Sequence, residues 1–248
     1  MIKRRKTKAV KIGTVHLGAK APIAVQSMCK VPTTDLSRCA REIRELARAG
    51  CALVRVAVPR RADTQALAQL VERVDLPLVA DIHFSAARAI EAIEAGAAKI
   101  RLNPGNIKDT KDIARIIDCA KLHSAGMRIG INEASIRDLK GKPVPFAQRI
   151  SLMMRKMKQY LRLFEKRGFD QLVLSAKSSD TLRTIEINRA IADHFDYPIH
   201  LGLTYAGLPE DAQIPSAVAL GTLLAEGIGD TIRVSAAGNP VVEAGMAY

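Results

Sequence analysis

Eight short apolar runs recur along the chain at intervals long enough to hold a helix between them. They are IAVQSM (23–28), ALVRVAV (52–58), LPLVADIH (76–83), KIRLN (99–103), RIGIN (128–132), QLVLSAK (171–177), IHLGLTY (199–205) and TIRVS (231–235). Runs this apolar suit strands covered on both faces, and eight strand–helix repeats predict a closed, parallel (β/α)8 barrel. Nearly every run ends in or beside a polar or charged residue. The C-terminal strand ends of such a barrel converge on one mouth, so a polar mouth is where function is expected.

The segments between the runs carry ordinary helix punctuation. Asp35 N-caps a helix through Arg48 closed by Gly50, and Asp63 or Thr64 opens the next. Ser85 precedes ARAIEAIEAG, closed by Gly96, and a further helix spans Asp109 to Ser124, running to Gly126. The stretch from Glu133 to Ile150 shows no clear period. After it, RISLMMRKMKQYLRLFEKRG reads as a basic amphipathic helix whose Met-rich stripe packs on the sheet. Near the N-terminus KAVKIGTVHLG alternates about Gly13, which predicts a solvated β-hairpin within residues 1–22 capping the bottom of the barrel.

Composition narrows the picture. The 248 residues are 48% hydrophobic and 25% charged, the balance of one globular barrel domain spanning 1–248. No apolar stretch approaches the roughly 20 residues of a membrane span, and no secretory h-region is present, so a cytoplasmic protein without membrane contact is expected. Four cysteines, Cys29, Cys39, Cys51 and Cys119, include no C-x-x-C pair and read as small packed thiols, with no metal site among them. There are 38 basic against 25 acidic residues, and eight of the basic ones fall in the first 30 positions. A nucleic-acid surface is not expected, because Trp is absent and none of the four Tyr and five Phe interleaves with that basic start.

Strand alternation brings charge to the mouth instead. It places Arg55, Asp81 with His83, Arg101 with Asn103, Arg128 with Asn132, Lys177, and Arg233 with Ser235 at or near the ends of different strands. An arginine inside a strand is costly unless it is paired or faces a ligand, and these cations outnumber the inward acids. A phosphorylated small molecule, a diphosphate in particular, completes the charge balance. Asp81 and His83 stand two residues apart on one side of their strand, a spacing that suits a carboxylate orienting an imidazole for proton transfer; a histidine satisfied by a backbone carbonyl is the plainer alternative. The turn NPGN (103–106) offers asparagines and backbone N–H groups to a phosphate.

The runs APIAVQSM, TTD (33–35), VRVAVP, PLVADIHF, IRLNPGNI, RIGIN, SAKSSD, HLGLT and LLAEGIGDTIRVS follow one another across roughly residues 20 to 240. In order and spacing they resemble the 4-hydroxy-3-methylbut-2-enyl diphosphate synthase family of the methylerythritol phosphate route to isoprenoids. The resemblance implies a barrel similar to dihydropteroate synthase, with Arg55, Arg101, Asn103, Arg128, Asn132, Lys177, Arg233 and Ser235 on substrate-holding positions and Asp81 and His83 as the catalytic acid and imidazole. It also implies reductive ring opening and dehydration of 2-C-methyl-D-erythritol 2,4-cyclodiphosphate, with a [4Fe–4S] cluster on a C-terminal domain, a homodimer, and flavodoxin or ferredoxin as electron donor.

Three departures accompany the resemblance. The chain stops at Tyr248 soon after the eighth run, so the iron–sulfur domain and part of the last helix are expected to be absent, and no cysteine present matches a cluster ligand. Incomplete cover of the first and last strands would then promote association. Where the family has a glutamate after the seventh strand this chain has Tyr205, and Glu133 follows Asn132 where the family has small residues. Two other readings therefore stay open: a non-catalytic paralogue that binds a phosphorylated ligand or a partner, and a pterin-type barrel transferase.

Overall fold

The computed structural model describes residues 2–82, 84–103, 106–107, 109–132, 144–204 and 207–248. A two-stranded antiparallel hairpin, β1 (Val10–Ile12) and β2 (Val15–Leu17), precedes eight parallel strands: β3 (Ala24–Met28), β4 (Leu53–Ala57), β5 (Leu78–Asp81), β6 (Lys99–Leu102), β7 (Gly126–Asn132), β8 (Leu172–Lys177), β9 (His200–Leu201) and β10 (Thr231–Ile232). They pair in the order β8-β7-β6-β5-β4-β3-β10-β9, and a parallel bridge between Leu174 and Ile199 joins the two ends into a barrel. Helices follow the strands in turn: α1 (Leu36–Arg48), α2 (Arg61–Arg73), α3 (Ala86–Glu94), α4 (Thr110–Leu122), α5 (Phe146–Glu165), α6 (Thr181–His194), α7 (Pro209–Ala225) and α8 (Pro240–Gly245).

The helix starts are set by side-chain caps. Asp35, Ser85, Asp109, Asp180 and Asn239 each accept a backbone N–H from the first turn of the helix they open. Two boundaries differ from the sequence expectation for α2 and α4. Helix α2 begins at Arg61, and Asp63 lies inside its first turn, where its carboxylate accepts the N–H of Arg60 at 2.9 Å. Helix α4 ends at Leu122, with the left-handed turn taken by Ser124 at φ 53°. Gly126 is instead the first residue of β7, where a Cβ would lie 2.2 Å from Cδ1 of Ile12. Helix α5 starts at Phe146, three residues before the apolar period is visible. Strands β9 and β10 are only two residues long, and just beyond them the chain is tied by single backbone bonds, Arg233 N–H to the carbonyl of Leu201 and Thr204 N–H to that of Ser178, each at 3.0 Å.

The core has two parts. Outer strand faces pack on the helices through side chains such as Val54, Val56, Leu67, Leu70, Ile100, Ile116, Leu174 and Ile191, each contributing about 1.5–3 kcal/mol by leaving water. A smaller cluster joins Val10, Ile12 and Leu17 of the hairpin to Ala24, Leu53, Val79 and Val173 at the bottom of the barrel. The hairpin is therefore a plug. The basic residues before it are less solvated than the sequence suggests. Arg4 pairs with buried Asp230 at 2.7 Å and donates to the carbonyls of Ala21 and Gly229, while Arg5 donates to those of Ala192, Phe195 and Tyr197. Arg4 and Arg5 thus latch the plug to the segments before β9 and β10, while Lys3, Lys6, Lys11 and Lys20 are exposed. Among the described residues no helix is long and apolar enough to cross a membrane.

Candidate anion-binding site

Parallel register decides which side chains look inward, because residues paired across neighbouring strands share a face. Arg55 pairs with Met28 and Val79, Asp81 with Ala57 and Arg101, Arg101 with Arg128, and Asn132 with Lys177. The same parity carries Gln26, Lys99, His200 and Thr231 into the middle of the barrel. Above the apolar plug the interior is thus polar and strongly basic.

At the C-terminal ends of the strands lies a cavity of about 240 Å³ lined by Arg55, Arg101, Arg128, Lys177 and Arg233, together with Asn132, Ser175, Thr204 and Ser235. Seven of the eight residues expected to hold substrate line it. The eighth, Asn103, is buried at the end of β6 and is not part of the lining. Asp81, 3% exposed, stands behind the lining with its carboxylate 3.6 Å from Nε of Arg55 and 3.4 Å from NH1 of Arg101. Its position orients two guanidiniums. His83, Glu133 and Tyr205 lie outside the described residues, as do two of the four residues of the NPGN turn.

Among the described residues the lining is short of negative charge. Burial pushes the Arg55 guanidinium down to about 10, with Asp81 opposing the effect and Arg233 and Arg101 adding to it. Arg128 is held well below its ordinary value by burial first and then by Arg55 and Arg101. It is 2% exposed, and its Nε and NH1 have no acceptor among the described residues. Burial, Arg128, Arg233, Arg55 and Arg101 likewise push the Lys177 ammonium well down. Guanidinium stays protonated in proteins, so the buried charge of Arg128 calls for an anion that no described residue provides.

Several contributors were not singled out from sequence. Lys99 and His200 are fully buried beneath the cavity; Lys99 donates to Oε1 of Gln26 at 3.1 Å, and burial together with neighbouring cations lowers both groups well below their usual values. The inward parity that Lys99 shares with Arg101 could have flagged it. Gly202 was passed over as part of HLGLT, yet a Cβ there would lie 2.7 Å from Nζ of Lys177 and 2.6 Å from the carbonyl oxygen of Arg233. Its bare backbone lets the lysine lie across β9. Met28 offers its sulfur to Nε and NH2 of Arg55 at 3.2 and 2.8 Å.

The cysteines do not fit an iron–sulfur cluster. Cys29, Cys39 and Cys51 are buried in the packed core and Cys119 is half-buried, and no group of three or more His, Cys, Asp or Glu could hold a metal among the described residues.

A parallel eight-stranded barrel with a plugged bottom and a cationic mouth defines the class: a (β/α)8 barrel domain with a dihydropteroate-synthase-like fold. Solved structures support the fold. Dihydropteroate synthase of Stenotrophomonas maltophilia superposes with a TM-score of 0.68 at 12% identity, over 97% of this chain and 96% of that one. The Yersinia pestis enzyme with a pterine–sulfa conjugate gives 0.62 at 12% identity, over 97% of each chain. At such identity the likeness concerns the fold alone.

Sequence relatives are more specific. The GcpE TIM-barrel domain matches residues 7–248. The 4-hydroxy-3-methylbut-2-en-1-yl diphosphate synthase (flavodoxin) of Malacoplasma penetrans is 43% identical over 241 residues, covering 97% of this chain and 66% of the relative. That of Thermotoga maritima is 43% identical over 236 residues, covering 95% and 67%. The chain belongs to the GcpE family. It spans about two thirds of the length of these curated relatives.

Proposed function

We propose that this chain is the substrate-binding barrel of a 4-hydroxy-3-methylbut-2-enyl diphosphate synthase and that its mouth holds 2-C-methyl-D-erythritol 2,4-cyclodiphosphate. The observation that carries the reading is the surplus of Arg55, Arg101, Arg128, Lys177 and Arg233 around one cavity with Asp81 behind them. Arginine forks supply paired donors to phosphate oxygens, and Lys177 supplies a compact charge. Asn132, Ser175, Thr204 and Ser235 add neutral polar groups on the same wall.

In the proposed activity the ring opens reductively and a hydroxyl leaves as water. The barrel's share is electrostatic: it clamps the diphosphate and neutralises the charge that grows on it as the ring C–O bond breaks, using dipoles and charges already in place. Asp81 keeps Arg55 and Arg101 aimed, and His83 is the proposed proton-transfer group of this pair. Flavodoxin, the word carried in the relatives' names, is the proposed electron source, and the cytoplasm is the proposed setting. The four cysteines present fit no cluster, so no electron-transfer step is assigned to these residues.

Calorimetric titration of the purified chain with the cyclodiphosphate, beside an Arg101→Ala variant, tests the reading. Expected is saturable binding that the variant weakens by about 10- to 150-fold, the loss of about 1.5–3 kcal/mol from one charge-assisted contact. A folded chain that takes up no cyclodiphosphate would overturn it.

A further inference from the structure

Glu243 is a carboxylate inside an apolar stretch, PVVEAG, on the last helix, and it is 1% exposed. Burial raises the cost of its charge, yet Arg233, Lys30 and the N–H of Ala236 outweigh that and hold the carboxyl below its ordinary range. Its two oxygens accept from Nε of Arg233 at 3.2 Å and NH2 at 3.1 Å, from the N–H of Ala236 at 3.1 Å, from Oγ of Ser27 at 3.1 Å, and pair with Nζ of Lys30 at 2.9 Å. Those partners come from β3, from the loop after it and from the chain beyond β10. Lys30 also donates to the carbonyl of Ala236 at 2.7 Å.

Only one of these partners is a charged group of the cavity wall. Arg233 is 9% exposed and lines the anion cavity beside Ser235 and Ala236, whereas Glu243 does not. Its fork is gripped from behind by a carboxylate in a side-on arrangement that fixes the plane of the guanidinium. Ser235 and Ala236 follow it in the same anchored segment, so one acid sets the wall between β10 and β3.

We infer that Glu243 is a positioning residue for anion binding: it never meets the ligand, but it aims the Arg233 guanidinium and holds the Ser235–Ala236 wall against the β3 loop. The inference rests on the proposed function for the identity of the anion, and on geometry alone for the aiming of Arg233.

Removing the negative charge has two opposite consequences, and their sign separates the explanations. If Glu243 were merely a nearby charge, Glu243→Gln would leave the mouth more positive and the cyclodiphosphate would bind more tightly. If it positions Arg233, the variant binds about tenfold more weakly, the worth of one misdirected charge-assisted contact. Glu243→Asp recovers part of that loss.

A double-mutant cycle separates positioning from general damage to the last helix. In an Arg233→Ala background Glu243→Gln should then cost clearly less than in the wild type, because the guanidinium it aims is gone and only its hold on the Ser235–Ala236 wall is left to lose. A full-sized loss persisting without Arg233, or tighter binding in Glu243→Gln, overturns the inference.

A readout without ligand keeps it independent of the functional reading. The side-chain Nε–H of Arg233, identified by its absence in Arg233→Lys, should exchange slowly with solvent in the wild-type chain and quickly in Glu243→Gln. Slow exchange with no cyclodiphosphate binding would sink the proposed ligand and leave the positioning role standing. Equal exchange in both proteins would sink the positioning role whatever the chain binds.

Discussion

Arg128→Met should make the ligand-free protein more stable, against the usual direction for a buried substitution. Arg128 is 2% exposed, lies in β7 with Arg101 as its paired neighbour, and has no acceptor for Nε or NH1 among the described residues. Burial and the other guanidiniums all work against its charge, with Asp81 alone opposing them. Replacing buried charge by a hydrophobe of similar length is neutral or stabilising by about 1–4 kcal/mol. Met keeps the unbranched stem, so roughly 2 kcal/mol is expected, a rise in Tm of roughly 4–8 °C for a domain of this size. The same substitution should weaken cyclodiphosphate binding about 10- to 150-fold, because a charge-assisted contact is lost. Urea and thermal unfolding of both proteins, with and without ligand, give the answer: the variant leads without ligand, and the gap closes or reverses at saturating ligand as binding stabilises the wild type. A ligand-free variant less stable than the wild type by more than about 1 kcal/mol would refute the claim that the mouth is held under charge strain.

Ligand binding should also take up protons. Burial and four guanidiniums hold Lys177 well below its ordinary value in the free protein, and a bound anion raises it again. Affinity therefore falls as pH rises through the depressed free-protein value, and titration in two buffers of different ionisation enthalpy should show uptake that Lys177→Gln removes. Gly202→Ala should cost about 1–3 kcal/mol by overpacking, since the new methyl meets a backbone oxygen at 2.6 Å as well as the flexible lysine end. Binding should weaken in the same variant because Lys177 is displaced; an unchanged melting curve and isotherm would contradict the close approach.

Much of the fold can be read from periodicity because a parallel barrel repeats one physical unit. Long apolar runs need cover on both faces, and caps such as Asp35, Ser85 and Asp109 mark where the cover begins. Boundaries fail where tertiary contact overrules local signals. Ser124 takes the left-handed turn that Gly126 suggested, because Gly126 is needed where Ile12 of the plug presses on β7. The early run of basic residues looked solvated for a similar reason: only the folded chain brings the carbonyls around Phe195 and Tyr197, and Asp230, to Arg4 and Arg5.

The cations of the site are legible because strand parity and strand ends are sequence properties. Their supports are not. Glu243 meets Ser27 and Lys30 across more than 200 positions of chain, and Gly202 matters through the carbonyl of Arg233 rather than through any chemistry of its own. The two classes answer different demands. An anion site needs several positive charges closer together than water would leave them, and their mutual repulsion would scatter them unless each is held from behind. Asp81 does this for Arg55 and Arg101, and Glu243 does it for Arg233. Arg128 is left without such a partner among the described residues. A carboxylate there would relieve the free protein and compete with the ligand for the same guanidinium. The instability expected of Arg128 and the aiming exerted by Glu243 are therefore parts of one arrangement, in which charge is fixed in place but left partly unneutralised toward the cavity.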